Sequence, residues 1–425
     1  MMRLRHVRTT APGAHTARAG TRGPFRGAKV ALTAALTAAA LTLAACGTAA
    51  TGAQPSPAPP AEPSSAASSG TDPSGGHGLH STGEPAPAAA LREGERFATV
   101  GMPAPYTPKP PNGGTDEYRC FMIDPALGKG ETFLTGAQFT AKNTQVVHHA
   151  ILFTVPPENV AKVRAVDAAA DGEGWTCFGD AGVRDASWIG HWAPGANEVL
   201  LDPKLGYSMR EGSMIVMQVH YSTLALDGAP AGADQSSVRL RLASGPRTPL
   251  STELLAAPVE LPCTEQESGA LCEREAAVTD VGKRFGEESV TNVQGLVEGC
   301  AKGKARPGPT QHCDMTSPAA FTLHAMAGHM HLLGRSIKVE LNPGKKDGRT
   351  LLDVPDYNFD NQELRPLAEP VSVRKGDVLR VTCTHDAGLR AQLPLLKELP
   401  PRYVVWGEGT QDEMCLGIAV ASASS

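Results

Sequence analysis

From about Leu91 onward, short apolar or alternating runs recur between clusters of Gly, Pro, Asn and Asp. Runs of that length bounded by turn residues predict β-strands. The clearest lie at 145–155, 213–222, 237–242, 336–341 and 377–383. Two segments, 157–170 and 273–285, carry a helical pattern instead. The rhythm predicts an all-β chain of two tandem antiparallel β-sandwich domains, jelly-roll-like in character. The division falls near residue 255, where Pro/Leu/Ala-rich sequence precedes Cys263, so the domains are expected at 93–255 and 256–421. No internal repeat is strong enough to count.

The first 92 residues lack this rhythm. Residues 1–45 carry seven Lys/Arg and no Asp or Glu, and an apolar stretch runs from Val30 to Ala45. A basic head, a short apolar run and small residues at its end predict a secretory signal peptide. The ending Leu43-Ala44-Ala45-Cys46 resembles the bacterial lipobox, which makes Cys46 the expected lipidation site. Residues 46–92 are mostly Ala, Pro, Ser, Gly and Thr, too poor in large apolar side chains to offset the entropy of ordering. A lipid-anchored flexible linker is expected there, with the globule on the outer face of a bacterial cell membrane. His77 and His80 read as solvated linker residues.

Losing the seven cations of the leader carries the formal net charge from −5 to −12. Such a surface argues against nucleic acid and against anionic lipid, so the membrane is a partner only through the anchor. Beyond Cys46 there are eight cysteines: Cys120, Cys177, Cys263, Cys272, Cys300, Cys313, Cys383 and Cys415. An even count in an exported chain predicts four disulfides, and with no Cys-x-x-Cys a thiolate metal cluster is not expected. Among Cys263, Cys272, Cys300 and Cys313 three connectivities remain open.

Nine histidines lie outside leader and linker, and their neighbourhoods differ. In Gly328-His329-Met330-His331 the imidazoles are two apart and share one face of a strand, so both can reach one ion. His148 and His149 are adjacent, and a regular strand would point them apart. They meet on one ion only through a bulge or by using different ring nitrogens. His220 ends the apolar run Met214-Ile215-Val216-Met217-Gln218-Val219, and taken alone reads as a core histidine. Met414, in Asp412-Glu413-Met414-Cys415, taken alone reads as ordinary core.

Together and in this order, these pieces resemble the copper type II, ascorbate-dependent monooxygenases, the family of peptidylglycine α-hydroxylating and dopamine β-monooxygenases. The matching pieces are His148-His149 before an apolar strand, Gln218-Val219-His220-Tyr221, His329-Met330-His331-Leu332-Leu333-Gly334, Cys383-Thr384 and Asp412-Glu413-Met414-Cys415. The resemblance spans roughly residues 95–420 and implies two copper ions per chain. His148, His149 and His220 correspond to a three-His site that stores and passes an electron. His329, His331 and Met414 correspond to the catalytic His₂Met site where dioxygen meets the substrate. A soft thioether favours Cu(I), whereas three imidazoles suit copper in either oxidation state. The family's sites face each other across a solvent-filled cleft. Gln218 shares a face with His220 and is a candidate for orienting an imidazole. His191 is a candidate to line the cleft, while His312, His324 and His385 read as structural or exposed. Cys383 is expected to pair with Cys415.

The expected activity is hydroxylation of a C–H bond of a small molecule with O₂ and an external, ascorbate-like reductant. Peptide-hydroxylating relatives hold a substrate carboxylate with an Arg two residues before His-x-His and with an Asn and a Tyr after Met-Cys. The positions here are Ala327, Leu416 and Ile418, which argues for a neutral or apolar substrate unless Arg335 or Arg184 supplies the cation. The rival reading is a copper-sequestering lipoprotein without turnover. A zinc hydrolase built on His329 and His331 lacks a nearby general base of the His-Glu-x-x-His kind and leaves Met414 unexplained.

Overall fold

The computed structural model describes residues 86–424 apart from Arg184. The expected signal peptide, Cys46 and most of the linker lie outside the described residues.

The chain is all-β, its sheets almost entirely antiparallel. A five-stranded sheet runs in the order Trp175–Thr176, Asp116–Ile123, Met214–Ser222, Val147–Val155, Ser187–Trp192. A four-stranded sheet runs Thr310–Thr316, Val378–His385, Gly334–Leu341, Arg349–Val354. Both lie against one eight-stranded sheet: Glu95–Gly101, Ser237–Ser244, Thr132–Thr140, Leu205–Met209, Thr248–Ala256, Leu416–Ala423, Phe321–His329, Arg365–Val373. Phe121, Leu152, Met217, Leu134 and Leu240 fill the N-terminal sandwich, and Leu255, Leu323, Ile337, Val339 and Val381 the C-terminal one. The halves therefore share a sheet. The junction is Thr248–Ala256, bonded along its length to Leu416–Ala423 but touching Leu205–Met209 only at Thr248↔Leu205 and Pro249↔Gly206.

The strands Val147–Val155 and Met214–Ser222 are buried at every position. One face meets the eight-stranded sheet. The other is covered by Val163 of helix α1 (Pro157–Ala169), Trp175 and the Cys120–Cys177 disulfide. Burial on both faces is why these segments read as continuous apolar runs rather than alternating ones. Any polar side chain inside them must then find a partner within the protein.

Helix α2 (Arg274–Phe285) follows its pattern, whereas α3 (Glu287–Ala301) was not anticipated. Its two glycines and its Ser, Thr and Asn are weak helix formers. Tertiary packing of Val293, Val290 and Leu296 on the core and the Cys300 disulfide hold it instead. The four disulfides are Cys120–Cys177, Cys263–Cys272, Cys300–Cys313 and Cys383–Cys415, which closes the open connectivities. Four such bonds are the mark of an extracellular or secreted chain. Among the described residues no helix is long and apolar enough to cross a membrane.

Candidate metal centre

His149 pairs with His220 across neighbouring strands, and the register slips between Val147 and His149. Of the two ways open to adjacent histidines this is the bulge: the extra residue lets both imidazoles face the same way. Three ring nitrogens converge. His148 Nδ1 lies 3.1 Å from His149 Nδ1 and 3.1 Å from His220 Nδ1, and the last two are 3.4 Å apart. Three imidazole nitrogens each ~2.0–2.1 Å from one tetrahedral ion would stand about 3.3 Å from each other. The spacing thus fits a metal at their centre, and all three side chains are buried.

The outer nitrogen of His220 identifies its tautomer. His220 Nε2–H donates to Asp116 Oδ1 at 3.0 Å, which leaves Nδ1 bare toward the centre. Burial alone would raise the Asp116 carboxyl, yet His220, Thr410 and Thr115 together hold it down at about 2. Burial keeps His220 neutral against the pull of Asp116. Burial and the surrounding imidazoles push His149 well below its ordinary value, so it too is neutral and able to bind a metal. Tyr118 stacks on His220 with ring centres 4.1 Å apart.

The second set forms where Phe321–His329 ends. A Cβ on Gly328 would strike Ile337 and Leu352 in the sandwich core, so Ala327 and His329 face the other way, toward the N-terminal half. His329 Nδ1–H donates to Gln362 Oε1 at 2.6 Å, and the same amide spends its N–H on the Phe359 carbonyl. His331 Nδ1–H donates to the Asp412 carbonyl at 3.1 Å. Both rings therefore present Nε2 as a lone pair, and His331 Nε2 is buried without a hydrogen-bond partner. An orphaned buried nitrogen of this kind is what a missing ligand partner leaves behind. Glu413, fully buried, accepts from the His331 and Leu333 amides at 2.8 and 2.6 Å and pins the loop between them. Met414 is buried in the C-terminal core, two residues before Leu416, the cross-strand partner of His329. Its neighbour Cys415 is bonded to Cys383, as expected.

The two sets are not separated by a solvent-filled cleft, which corrects the expectation from the resemblance. The rings of His149 and His329 stand 5.4 Å apart and nearly perpendicular. Phe359 stacks on His148 at 4.4 Å and meets His331 edge-on at 6.3 Å. The shared sheet and the bonds from Asp116 to Thr410 and from Tyr118 to Glu408 draw the halves together here. Burial and the neighbouring imidazoles depress His329 to about 3, and burial depresses His191 to about 4.

Other expectations fare differently. Gln218 does not orient an imidazole: its Nε2–H donates to the Asp180 carbonyl at 3.0 Å, beside Cys177. Asp116, Gln362 and the Asp412 carbonyl do that work instead, and none of the three stood out in the sequence as a partner to histidine. His385 is buried, its Nε2 near Met414 O and Glu413, whereas His324 bonds Ser422 and His312 is exposed. Arg335 points outward, its side chain 57% exposed beside Asp386, and Arg184 lies outside the described residues. His191 lines a cavity of about 90 Å³ together with Trp188, Leu250, Leu364, Ile418 and Val420. Ile418 pairs with Ala327, two residues before His329, and Leu364 follows Gln362 by two residues, though His329 itself is not among the lining residues.

Residues 304–418 match the family described as copper type II ascorbate-dependent monooxygenase, C-terminal domain. Dopamine beta-hydroxylase of Bos taurus is 33% identical over 119 residues, 25% of this chain and 18% of that protein, so the chain covers under a fifth of the relative's length. Among solved structures, the major capsid protein P2 of Bacteriophage PM2 is 8% identical over 78% of this chain and 98% of that one, with a TM-score of 0.27. Allantoicase is 12% identical over 74% and 90%, with a TM-score of 0.18. Scores this low carry no argument for fold or function. The C-terminal half is another matter: residues 304–418, with His329, His331 and Met414, match the C-terminal domain of the copper type II ascorbate-dependent monooxygenases.

Proposed function

We propose that the protein is an exported, lipid-anchored copper monooxygenase that hydroxylates a C–H bond of a small neutral or apolar molecule. In this reading residues 93–255 hold one ion through His148, His149 and His220, and residues 256–421 hold a second through His329, His331 and Met414. Copper would supply the redox chemistry by which one atom of O₂ enters the C–H bond and the other leaves as water, with two electrons and two protons from an ascorbate-like reductant. The chain's own residues set the stage. Asp116, Gln362 and the Asp412 carbonyl hold protons on the outward nitrogens so that the inward ones stay bare. Phe359 fills the space beside His148 and His331 and keeps water from it.

The observation that carries the reading is the mutual approach of three buried Nδ1 atoms beside a second pair of imidazoles with bare Nε2 atoms. A carrier that only sequestered copper would need one such set, and no cavity next to it. The cavity walls also speak to the substrate. The lining mixes apolar Leu250, Leu364 and Ile418 with neutral Thr135, Asn197 and Tyr207 and includes no Lys or Arg, and a buried carboxylate without a cation costs several kcal/mol. At about 90 Å³ the space is smaller than the ~150 Å³ cavity that accommodates benzene, so it suits a short alkyl portion rather than a peptide.

Oxygen uptake by copper-loaded protein with ascorbate tests this directly. Two ions per chain and substrate-dependent uptake with small neutral molecules are expected, and little with glycine-extended peptides. One ion per chain, or copper binding with no turnover of any candidate, would favour the sequestering lipoprotein instead. Met414→His is a sharper probe of the second set. The imidazole should keep copper bound while turnover falls more than about 10-fold, because the soft sulfur that favours Cu(I) is gone. Normal turnover in that variant removes Met414 from the site.

A further inference from the structure

One loop serves both imidazole sets. Residues 407–413 link the strand Val404–Val405 to Met414. Thr410 donates to Asp116 Oδ1 through its amide at 3.1 Å and its hydroxyl at 2.5 Å, and Asp116 holds His220. Two residues on, the Asp412 carbonyl holds His331. The Glu408 carbonyl accepts from Tyr118, which stacks on His220. Gly407 and Gly409 let this loop close on itself: a Cβ at either would lie 2.8–2.9 Å from Asp412 side-chain atoms.

The closest cation to Asp412 comes from outside the family match, while Arg402, inside it, stands 3.7 Å from Asp412 Oδ1. Arg284, at the end of α2, makes two parallel bonds to Asp412, Nη1 to Oδ2 at 2.8 Å and Nη2 to Oδ1 at 2.6 Å. Its Nε donates to Asp280 at 2.8 Å, so the guanidinium is itself held. Helices α2 and α3 precede residue 304, where the match begins, and are stapled by Cys263–Cys272 and Cys300–Cys313. The next residue, Phe285, meets Phe178 at 5.8 Å, Phe178 meets Tyr118 at 5.6 Å, and Tyr118 lies on His220. Two routes thus run from the end of α2 to the two imidazole sets.

We propose that Arg284 is a positioning residue for both imidazole sets, acting through the loop 407–413. The inference rests on the copper reading above for its purpose, though not for its test. By fixing the Asp412 carboxylate the guanidinium sets where the Asp412 carbonyl stands and how far Thr410 reaches, and so which nitrogen of His331 and of His220 keeps its proton. A bidentate fork does this; a single ammonium does not, because it cannot make two parallel bonds in one plane.

The test compares Arg284→Lys, Arg284→Gln and Thr410→Val with the wild type. In copper-free protein, ¹⁵N NMR of the histidine rings reads the tautomers; in loaded protein, Cu(II) electron paramagnetic resonance and Cu(I) competition read the sites. The wild type should show His331 protonated at Nδ1 and His220 at Nε2. Both Arg284 variants should fold, show mixed tautomers at both histidines, and lose about 10–100-fold in copper affinity at both sets. Thr410→Val should disturb His220 and spare His331. Wild-type tautomers and affinities in Arg284→Lys and Arg284→Gln would overturn the proposal, as would a change confined to one set. Arg284→Lys chains that fail to fold would overturn it too, since the pair would then belong to the fold rather than to the ligands. A wild type that binds no copper but whose variants shift the tautomers as described sinks the proposed function and supports this inference.

Discussion

His148→Ala is expected to abolish metal binding at the three-nitrogen set and to lower kcat/KM by more than about 100-fold. Loss of a residue that merely orients a ligand costs 10–100-fold, so loss of the ligand itself should cost more. The substitution removes one of three nitrogens that stand 3.1–3.4 Å apart and leaves two, below the three protein ligands that hold an ion in an open site. It also removes the ring on which Phe359 stacks, which opens the space between the two sets to water. Copper analysis after dialysis should find one ion in the variant and, on the proposed function, two in the wild type. Because His149 and His329 lie edge to face, the remaining ion should show an altered spectrum rather than the unperturbed signal of an isolated site. Two ions retained with near-normal turnover would remove His148 from the site.

Arg241→Leu should cost about 3–5 kcal/mol of stability, the range for stranding buried charges. The Arg241 side chain is 0% exposed, and its partners Glu95 and Glu198 are 1% and 6% exposed. All five of its N–H groups are used: two on Glu198, one on Glu95, and one each on the carbonyls of Ala89 and Ala90. Leucine fills part of the space but leaves two carboxylates facing each other without a cation. Glu198 sits in the stretch of chain that contributes Ala196, Asn197 and Val199 to the cavity wall, so the same change should loosen that wall. Denaturant unfolding measures the loss, and adding Glu95→Gln and Glu198→Gln to the variant should recover part of it. A loss below about 1 kcal/mol would mean that water reaches the pair.

Strand periodicity made the all-β class legible, because burial on one or both faces leaves its mark residue by residue. The segments 145–155, 213–222, 237–242, 336–341 and 377–383 each contain or overlap a strand, within a few residues at either end. Helix α3 escaped because its own residues are poor helix formers and only packing on the core completes it. The even cysteine count foretold four disulfides. Choosing among three connectivities needed the α2–α3 hairpin, which brings Cys300 to Cys313 and leaves Cys263 to its near neighbour Cys272.

At the site, the sequence by itself placed His329 and His331 on one strand face, whereas His148, His149, His220 and Met414 entered the expected donor set only through the family resemblance; the structure brings the first three of these together. The adjacency of His148 and His149 left two routes to one ion, a bulge or different ring nitrogens, and the structure takes the bulge. What only the tertiary structure decided is which nitrogen of His220, His329 and His331 is bare, because that depends on Asp116, Gln362 and the Asp412 carbonyl, the first two brought from 104 and 33 residues away and the last from 81. For Gln218 strand parity misled, since the face it shares with His220 changes neighbours along the strand, from imidazoles to the Cys120–Cys177 disulfide. The contact between the two imidazole sets was likewise invisible in the chain. It arises from one sheet shared by both sandwiches and one loop bonded to both, and hydrogen bonds between segments nearly 300 residues apart leave no periodicity to read.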